Sequence, residues 1–311
     1  MEFSLSLPSI RRTQSRLRRR QIRLGVALLA PALFLIILIV IYPTARSFVA
    51  SVTEWDGLHP PEFNGLANFE KLLFKDELFG LALANSLKLG LISALGSVTI
   101  GYMLAELLYT TGATKGVLYR TVYFIPVMLP LAVVGVMFKF IYNPTYGLLN
   151  RFLEAVGLSS LTHAWLGEAD IVLYSIIAVN IWKTFGLNVV LFFAGLQTIP
   201  YELYEAARID GASRWQEVRH ISLPMLRPVL ELALVVSLTF GLKTFDLVYV
   251  MTMGGPGRAT LTVPIWIWEN SFRYNSFGYG SAIAVVFFLV GLALVLLTRW
   301  LVSGRAPALN E

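Results

Sequence analysis

The sequence predicts an all-α integral membrane protein of six transmembrane helices, with a pair of short cytoplasmic helices between the fourth and fifth. Three observations carry that prediction. Of 311 residues, 56% are hydrophobic and only 14% are charged, well outside the composition of soluble domains. The apolar residues gather into six runs of about 20 or more, long enough to cross a bilayer. Lys and Arg are distributed unevenly between the two ends of those runs. The absence of cysteine excludes a disulfide or thiolate metal site.

Residues 1–23 carry seven arginines: Arg11, Arg12, Arg16, Arg18, Arg19, Arg20 and Arg23. An apolar run begins at once after them. The arm therefore reads as a cytoplasmic anchor facing membrane lipid, under the positive-inside rule, and not as a nucleic-acid-binding segment. The run over about 24–42 is too long and unbroken for a signal peptide and reads as span one. Residues 46–80 then lie outside. They contain FNGLANF (Phe63–Phe69), turn-rich and then amphipathic.

Spans two to six are expected at about 82–108, 119–141, 171–195, 229–251 and 280–302. The membrane domain covers 24–302, and 303–311 form a cytoplasmic tail. Beyond the arm, Lys115, Arg120, Arg208, Arg214, Arg219, Arg227, Arg299 and Arg305 fall inside. The outer loops hold Arg46, Lys71, Lys75, Arg151, Arg258 and Arg273. This bias places both termini in the cytoplasm. In the outer loop after span three, Leu148, Leu149, Phe152, Leu153 and Val156 share one face, the pattern of a helix lying in the interface plane. Trp165 fits an aromatic belt.

Between spans four and five lies the polar insert 198–226. Pro200 suits a first helical turn, and Glu202 and Glu205 lie near that helix's N-terminus, where the dipole favours negative charge. Ala206 and Ala207 are small enough for another surface to approach. Gly211 supplies a left-handed stop, and Ser213 with Gln216 forms a capping box for a second helix. Leu223-Pro224 is expected to end that helix. The unit is helix, glycine elbow, helix.

Deep polar residues inside spans mark a pathway or an internal pair. Span four carries Asn180, Lys183, Thr184 and Asn188; span five carries Ser237, Thr239, Lys243, Thr244 and Asp246. Lys183 or Lys243 either pairs with Asp246 or meets solute. Lys88, Glu106 and Lys139 lie near helix ends and are expected to snorkel. Pro126 and Pro130 should kink span three. There is no G-x-x-x-x-G-K-[ST], and His59, His163 and His220 lack metal-ligand spacing. Glu202, Glu205, Asp210 and Glu217 form a carboxylate cluster, as a membrane enzyme would need, but capping and docking account for it.

Glu205-Ala206-Ala207, three residues, Gly211, nine residues, then Ile221, Leu223 and Pro224: this string resembles the EAA loop of the membrane subunits of bacterial ABC importers. Trp182–Thr184, Gly195–Ala212, Thr244–Thr262 and Gly278–Val286 are similar to the maltose-type sugar permeases, and FNGLANF resembles their outer-loop motif. The likeness covers most of residues 60–300. It implies a permease of the bacterial inner membrane that binds no cofactor itself. The implied partners are a second permease, two ATPase subunits holding ATP and Mg, and an extracytoplasmic sugar-binding protein. The coupling set it implies is Glu202, Glu205, Ala206, Ala207, Asp210, Gly211, Leu223 and Pro224, with Glu205 facing an arginine of the ATPase.

For the solute pathway, Asn180, Ser237 and Phe240 match sugar contacts of the maltose-type permease. Thr184 stands where that permease has glycine, Leu187 and Val127 where it has tyrosine, and Gly241 where it has asparagine. With Lys183, Thr244 and Asp246 these complete the expected pathway. The departures weaken the case for maltose itself. Another carbohydrate is expected, or a small solute such as glycerol phosphate.

Overall fold

The computed structural model describes residues 25–111 and 122–303. The basic arm, Lys115, Arg120, Arg305 and most of the tail lie outside the described residues. Helix α1 (Gly25–Ala50) is apolar on every side and exposed over most of its length. It meets the body of the chain near its C-terminal end, where Phe48 stacks edge-on against Phe288 at 6.1 Å. Two two-residue strands then pair antiparallel, β1 (Thr53–Glu54) and β2 (Glu62–Phe63), with Thr53 opposite Phe63. Sequence patterning gave no sign of this small ribbon. Helix α2 (Ala67–Phe74) is fastened to it by Asn68, whose amide donates to the Ser51 and Thr53 carbonyls at 3.0 and 2.8 Å. Asn68 thus fastens the FNGLANF segment to the ribbon.

Helix α3 (Glu77–Thr111) starts where Asp76 accepts the Phe79 N–H at 2.9 Å. The third span is broken. Helix α4 (Val122–Met128) and helix α5 (Leu131–Ile141) meet at 109°, because Pro130 has no N–H to continue the ladder and adopts an extended ψ of 139°. Helix α6 (Leu148–Ala155) leaves Leu148, Phe152 and Val156 exposed, as an interfacial helix does. Trp165 is not free for a belt: its indole donates to Asn150 Oδ1 at 2.7 Å and its ring stacks on Tyr142.

Helix α7 (Val172–Leu196) is continuous. It leads to α8 (Tyr201–Ile209) and α9 (Arg214–Met225), the two arms of the elbow, and then to α10 (Arg227–Leu242), which bends 72° away from α9. Pro224 does not end α9. A wide turn over Val218–Ser222, with Leu223 N–H bonded to Val218 O, shifts the ladder one residue before the proline and absorbs its missing donor. Span five also ends earlier than expected. The Thr244 hydroxyl takes the Phe240 carbonyl at 2.9 Å, Thr244 N–H turns to Gly241 O, and the chain restarts as α11 (Asp246–Thr252). Helix α12 (Val263–Trp268) and helix α13 (Phe277–Ser303) complete the chain.

Among the described residues, four continuous helices are long and apolar enough to cross a membrane, and the two bent pairs bring the count to six when each is taken as one span. Helices α3 and α7 pack along their length, with α10 crossing α3. One core joins α3, α5, α7, α11 and α12 through Leu89, Val134, Ile176, Leu247 and Ile265. A second core around Val189, Phe192, Leu196, Tyr204 and Leu226 carries the elbow.

Candidate functional site

The elbow is built from local chemistry. Helix α8 begins after Pro200 with Glu202 in its first turn. It closes on Gly211, whose φ is +79°. Gly211 N–H reaches the Arg208 carbonyl at 3.1 Å and Ala212 N–H the Ala207 carbonyl at 2.8 Å, the paired bonds of a Schellman stop. Gln216 Oε1 accepts the Ser213 N–H at 2.7 Å, closing the expected capping box.

Glu202, Glu205, Ala206, Asp210 and Gly211 all lie on the exposed surface of this unit, with Ala207 half-buried. Leu223 and Pro224 are half-buried at the far end of α9, away from the tip. The tip also presents two apolar side chains that motif reading passed over, Ile209 at 85% exposed and Trp215 at 68%. Their only sequence signal is large apolar residues inside a polar insert. Exposed apolar groups rimmed by charge are the composition of a protein contact.

Beneath the tip the elbow is held by charge. Glu217, 3% exposed, accepts from Arg208 Nε at 2.8 Å and from an Arg214 guanidinium nitrogen at 2.6 Å. The Arg208 bond holds the Glu217 carboxyl below the usual carboxylate range, with Arg214 adding to it against the opposing effect of burial. The same pairing pushes the Arg208 guanidinium above its ordinary value. Arg214 reaches on to Glu106 of α3 at 2.9 Å. Glu106 is therefore an anchor for the elbow and not a snorkelling end residue. Tyr204, fully buried, adds a hydroxyl contact to Ser222 at 3.0 Å.

The expected pathway residues divide. Asn180 and Lys183 are buried on α7, with Thr184 and Leu187 half-buried beside them. Thr184 bonds back to the Asn180 carbonyl at 2.7 Å. Lys183 Nζ donates to the Val127 carbonyl at 2.6 Å, so the tie joins span four to span three. The expected pairing with Asp246 is absent: Lys243 and Asp246 are both exposed and neither forms an ion pair among the described residues. The early end of α10 turns both outward.

Ser237 is buried and bonded to Asn188, whose amide donates to it at 3.0 Å and to Ser97 Oγ at 3.2 Å. That trio ties α3, α7 and α10 together. Phe240 is exposed and Thr244 buried. Gly241 lies against α3, where an added Cβ would meet Gly90 Cα at 2.8 Å. It serves a helix crossing, and small residues at such crossings let backbones approach. No group of three or more His, Cys, Asp or Glu side chains placed to hold a metal ion occurs among the described residues.

Residues 97–306 match the family model described as binding-protein-dependent transport system inner membrane component. The chain is 38% identical over 271 residues to the probable ABC transporter permease protein YurN of Bacillus subtilis, covering 86% of this chain and 92% of that one. It is 36% identical to the sulfoquinovosyl glycerol transport system permease protein SmoG of Agrobacterium fabrum, covering 87% of each. It is 33% identical to the trehalose/maltose transport system permease protein MalF of Thermococcus litoralis, covering 94% of this chain and 97% of that one. In fold it matches a chain of a bacterial ABC transporter involved in the import of the acidic polysaccharide alginate, with a TM-score of 0.79 at 22% identity, covering 95% of this chain and all of that one. The family match takes in α7, the elbow, α10 and α13, so the chain belongs to the binding-protein-dependent transport system inner membrane components and is an ABC transporter permease subunit, not an enzyme.

Proposed function

We propose that this permease forms half of the translocation pathway of an ATP-driven importer for a carbohydrate. Its elbow docks in a cleft of a separate ATPase subunit. The observation that carries the reading is the elbow itself: a rigid, capped unit with Glu205, Ile209 and Trp215 exposed at its tip and α7 and α10 leading away from it. A carbohydrate is favoured because relatives of this similarity carry names that include trehalose/maltose, diacetylchitobiose and lactose transport. The partners in this reading are a second permease, two ATPase subunits that hold ATP and Mg, and an extracytoplasmic sugar-binding protein. Both termini lie in the cytoplasm, in keeping with the Lys and Arg bias.

In this mechanism ATP closes the ATPase dimer, the elbow is carried with it, and α7 and α10 rock. The cavity then opens outward to accept solute from the binding protein. The set Asn180, Thr184, Leu187, Ser237, Phe240 and Thr244, on or just beyond the two helices flanking the elbow, lies beside or supports the route. The test is Glu205→Lys in the assembled transporter reconstituted in vesicles. Uptake should fall at least tenfold while sugar binding to the separate receptor is unchanged. Normal uptake with that substitution would remove the docking role.

A further inference from the structure

We infer that Lys183 is a positioning residue that fastens the corner of the broken third span to α7, so that α4 moves as one body with α7. The inference rests on the reading above only in taking α7 as a helix that moves.

Lys183 is 8% exposed and lies mid-way along a membrane helix. A buried ammonium there needs a partner. Among the described residues no carboxylate lies within ion-pair distance. Its partner is the Val127 carbonyl at 2.6 Å. That carbonyl lies in the last turn of α4, where helical carbonyls have no N–H ahead of them. Pro130 and the 109° turn take the next backbone donor out of line. A cation is also favoured at a helix C-terminus. The lysine and the orphaned carbonyl therefore answer each other's need.

A second contact, one turn along both helices, makes the tie rigid. At Gly186 a Cβ would collide with the Tyr123 carbonyl oxygen, so α7 and α4 meet backbone to backbone there. The Tyr123 and Phe185 rings pack edge-on at 6.0 Å beside it. Beyond the corner α5 keeps contact with α7, through the Phe138 and Trp182 rings at 5.2 Å and the Tyr142 hydroxyl on the Ser175 carbonyl at 3.2 Å, and gains a second neighbour. Gly135 of α5 lies against Val250 of α11, at 3.0 Å from an added Cβ. Lys183 thus holds the corner itself to α7, the helix that leads into the elbow.

The chain has no cysteine, so paired spin labels report cleanly. In the assembled transporter in nanodiscs, labels at Val122→Cys and Val190→Cys, both exposed, read the separation of α4 from α7. With Lys183 intact this distance should be one narrow distribution, unchanged between nucleotide-free and nucleotide-trapped states. A shift beyond the width of that distribution overturns the proposal, and this measurement needs no variant at Lys183. In Lys183→Met, which keeps the stem and loses the donor, the distribution should broaden and solute moved per ATP should fall several-fold. Lys183→Arg, which still donates to the carbonyl, should restore both. A Met variant with the parental distribution, or an Arg variant that behaves like Met, sinks it. Failure of the elbow to dock on an ATPase would leave the label distance unaltered, so the two readings fail separately.

Discussion

Arg214 lies 2.6 Å from Glu217 and 2.9 Å from Glu106, so one guanidinium joins α9 of the elbow to the C-terminal end of α3, 108 residues earlier in the chain. Besides its connections to α7 and α10, the elbow is held to α3 by Tyr204, whose ring lies 6.1 Å from that of Tyr109. The ion pair adds a hold through α9 and makes the elbow a lever fixed to the core.

Glu106→Gln keeps the shape of that attachment and removes its charge. Glu106 is mostly buried and Arg214 partly exposed, so the loss should be about 1 kcal/mol, that of a charged hydrogen bond screened on one side. Amide exchange over residues 201–217 should quicken about fivefold. Exchange in α13 should not change.

The Glu217 carboxyl gives the elbow a pH dependence of definite sign. Its folded pKa is depressed by Arg208, so its stabilisation is complete above the usual carboxylate value and is lost as pH falls through the depressed one. Exchange over 201–217 should therefore stay slow from neutral pH down into the carboxylate range and quicken only below it. Glu217→Gln should abolish that step and leave the elbow looser at pH 7, by about 1–3 kcal/mol, because the charge is lost and one of the two arginines faces an amide NH2 in place of an acceptor while keeping some water.

Gly211 isolates backbone strain from crowding. Its φ is +79° and no atom would lie within 4 Å of an added Cβ. Gly211→Ala should cost about 1–2 kcal/mol from the left-handed conformation alone. The transporter should assemble normally, with uptake reduced and hydrolysis of ATP retained.

Gly241 is the opposite case, with ordinary backbone and no room. Gly241→Asn would restore the residue type of the maltose-type permease. It should instead push α10 off α3 at Gly90, costing about 1–3 kcal/mol as overpacking. The expected result is less assembled transporter at the membrane and no gain in solute affinity, measured by quantitative blotting beside a binding assay.

Much of this architecture is written in local sequence. The elbow could be read residue by residue because its stops and caps, Pro200, Gly211, Ser213 and Gln216, act within a single turn of chain. The corner in the third span was foreshadowed by Pro126 and Pro130, though a proline says that a helix breaks and not by what angle. The end of span five was hidden, since no proline within residues 229–251 marks the break between α10 and α11. Lys183, Lys243 and Asp246 were matched by sign alone. Geometry gave Lys183 a carbonyl and turned the other two outward. Glu106 and Arg214 meet only once α3 and the elbow are folded together, a relationship with no short-range signal.

The central claim is that the elbow is gripped by the subunit that hydrolyses ATP. Ala206→Cys on the cysteine-free chain, carrying a short photo-cross-linker, tests it most directly in membranes holding the whole transporter. Irradiation should yield one major adduct, between this chain and the ATPase subunit. Without the cross-linker, the introduced thiol should resist a membrane-impermeant reagent applied from outside. An adduct with the extracytoplasmic binding protein, labelling of that thiol from outside, or no adduct with the ATPase in any nucleotide state would contradict the account.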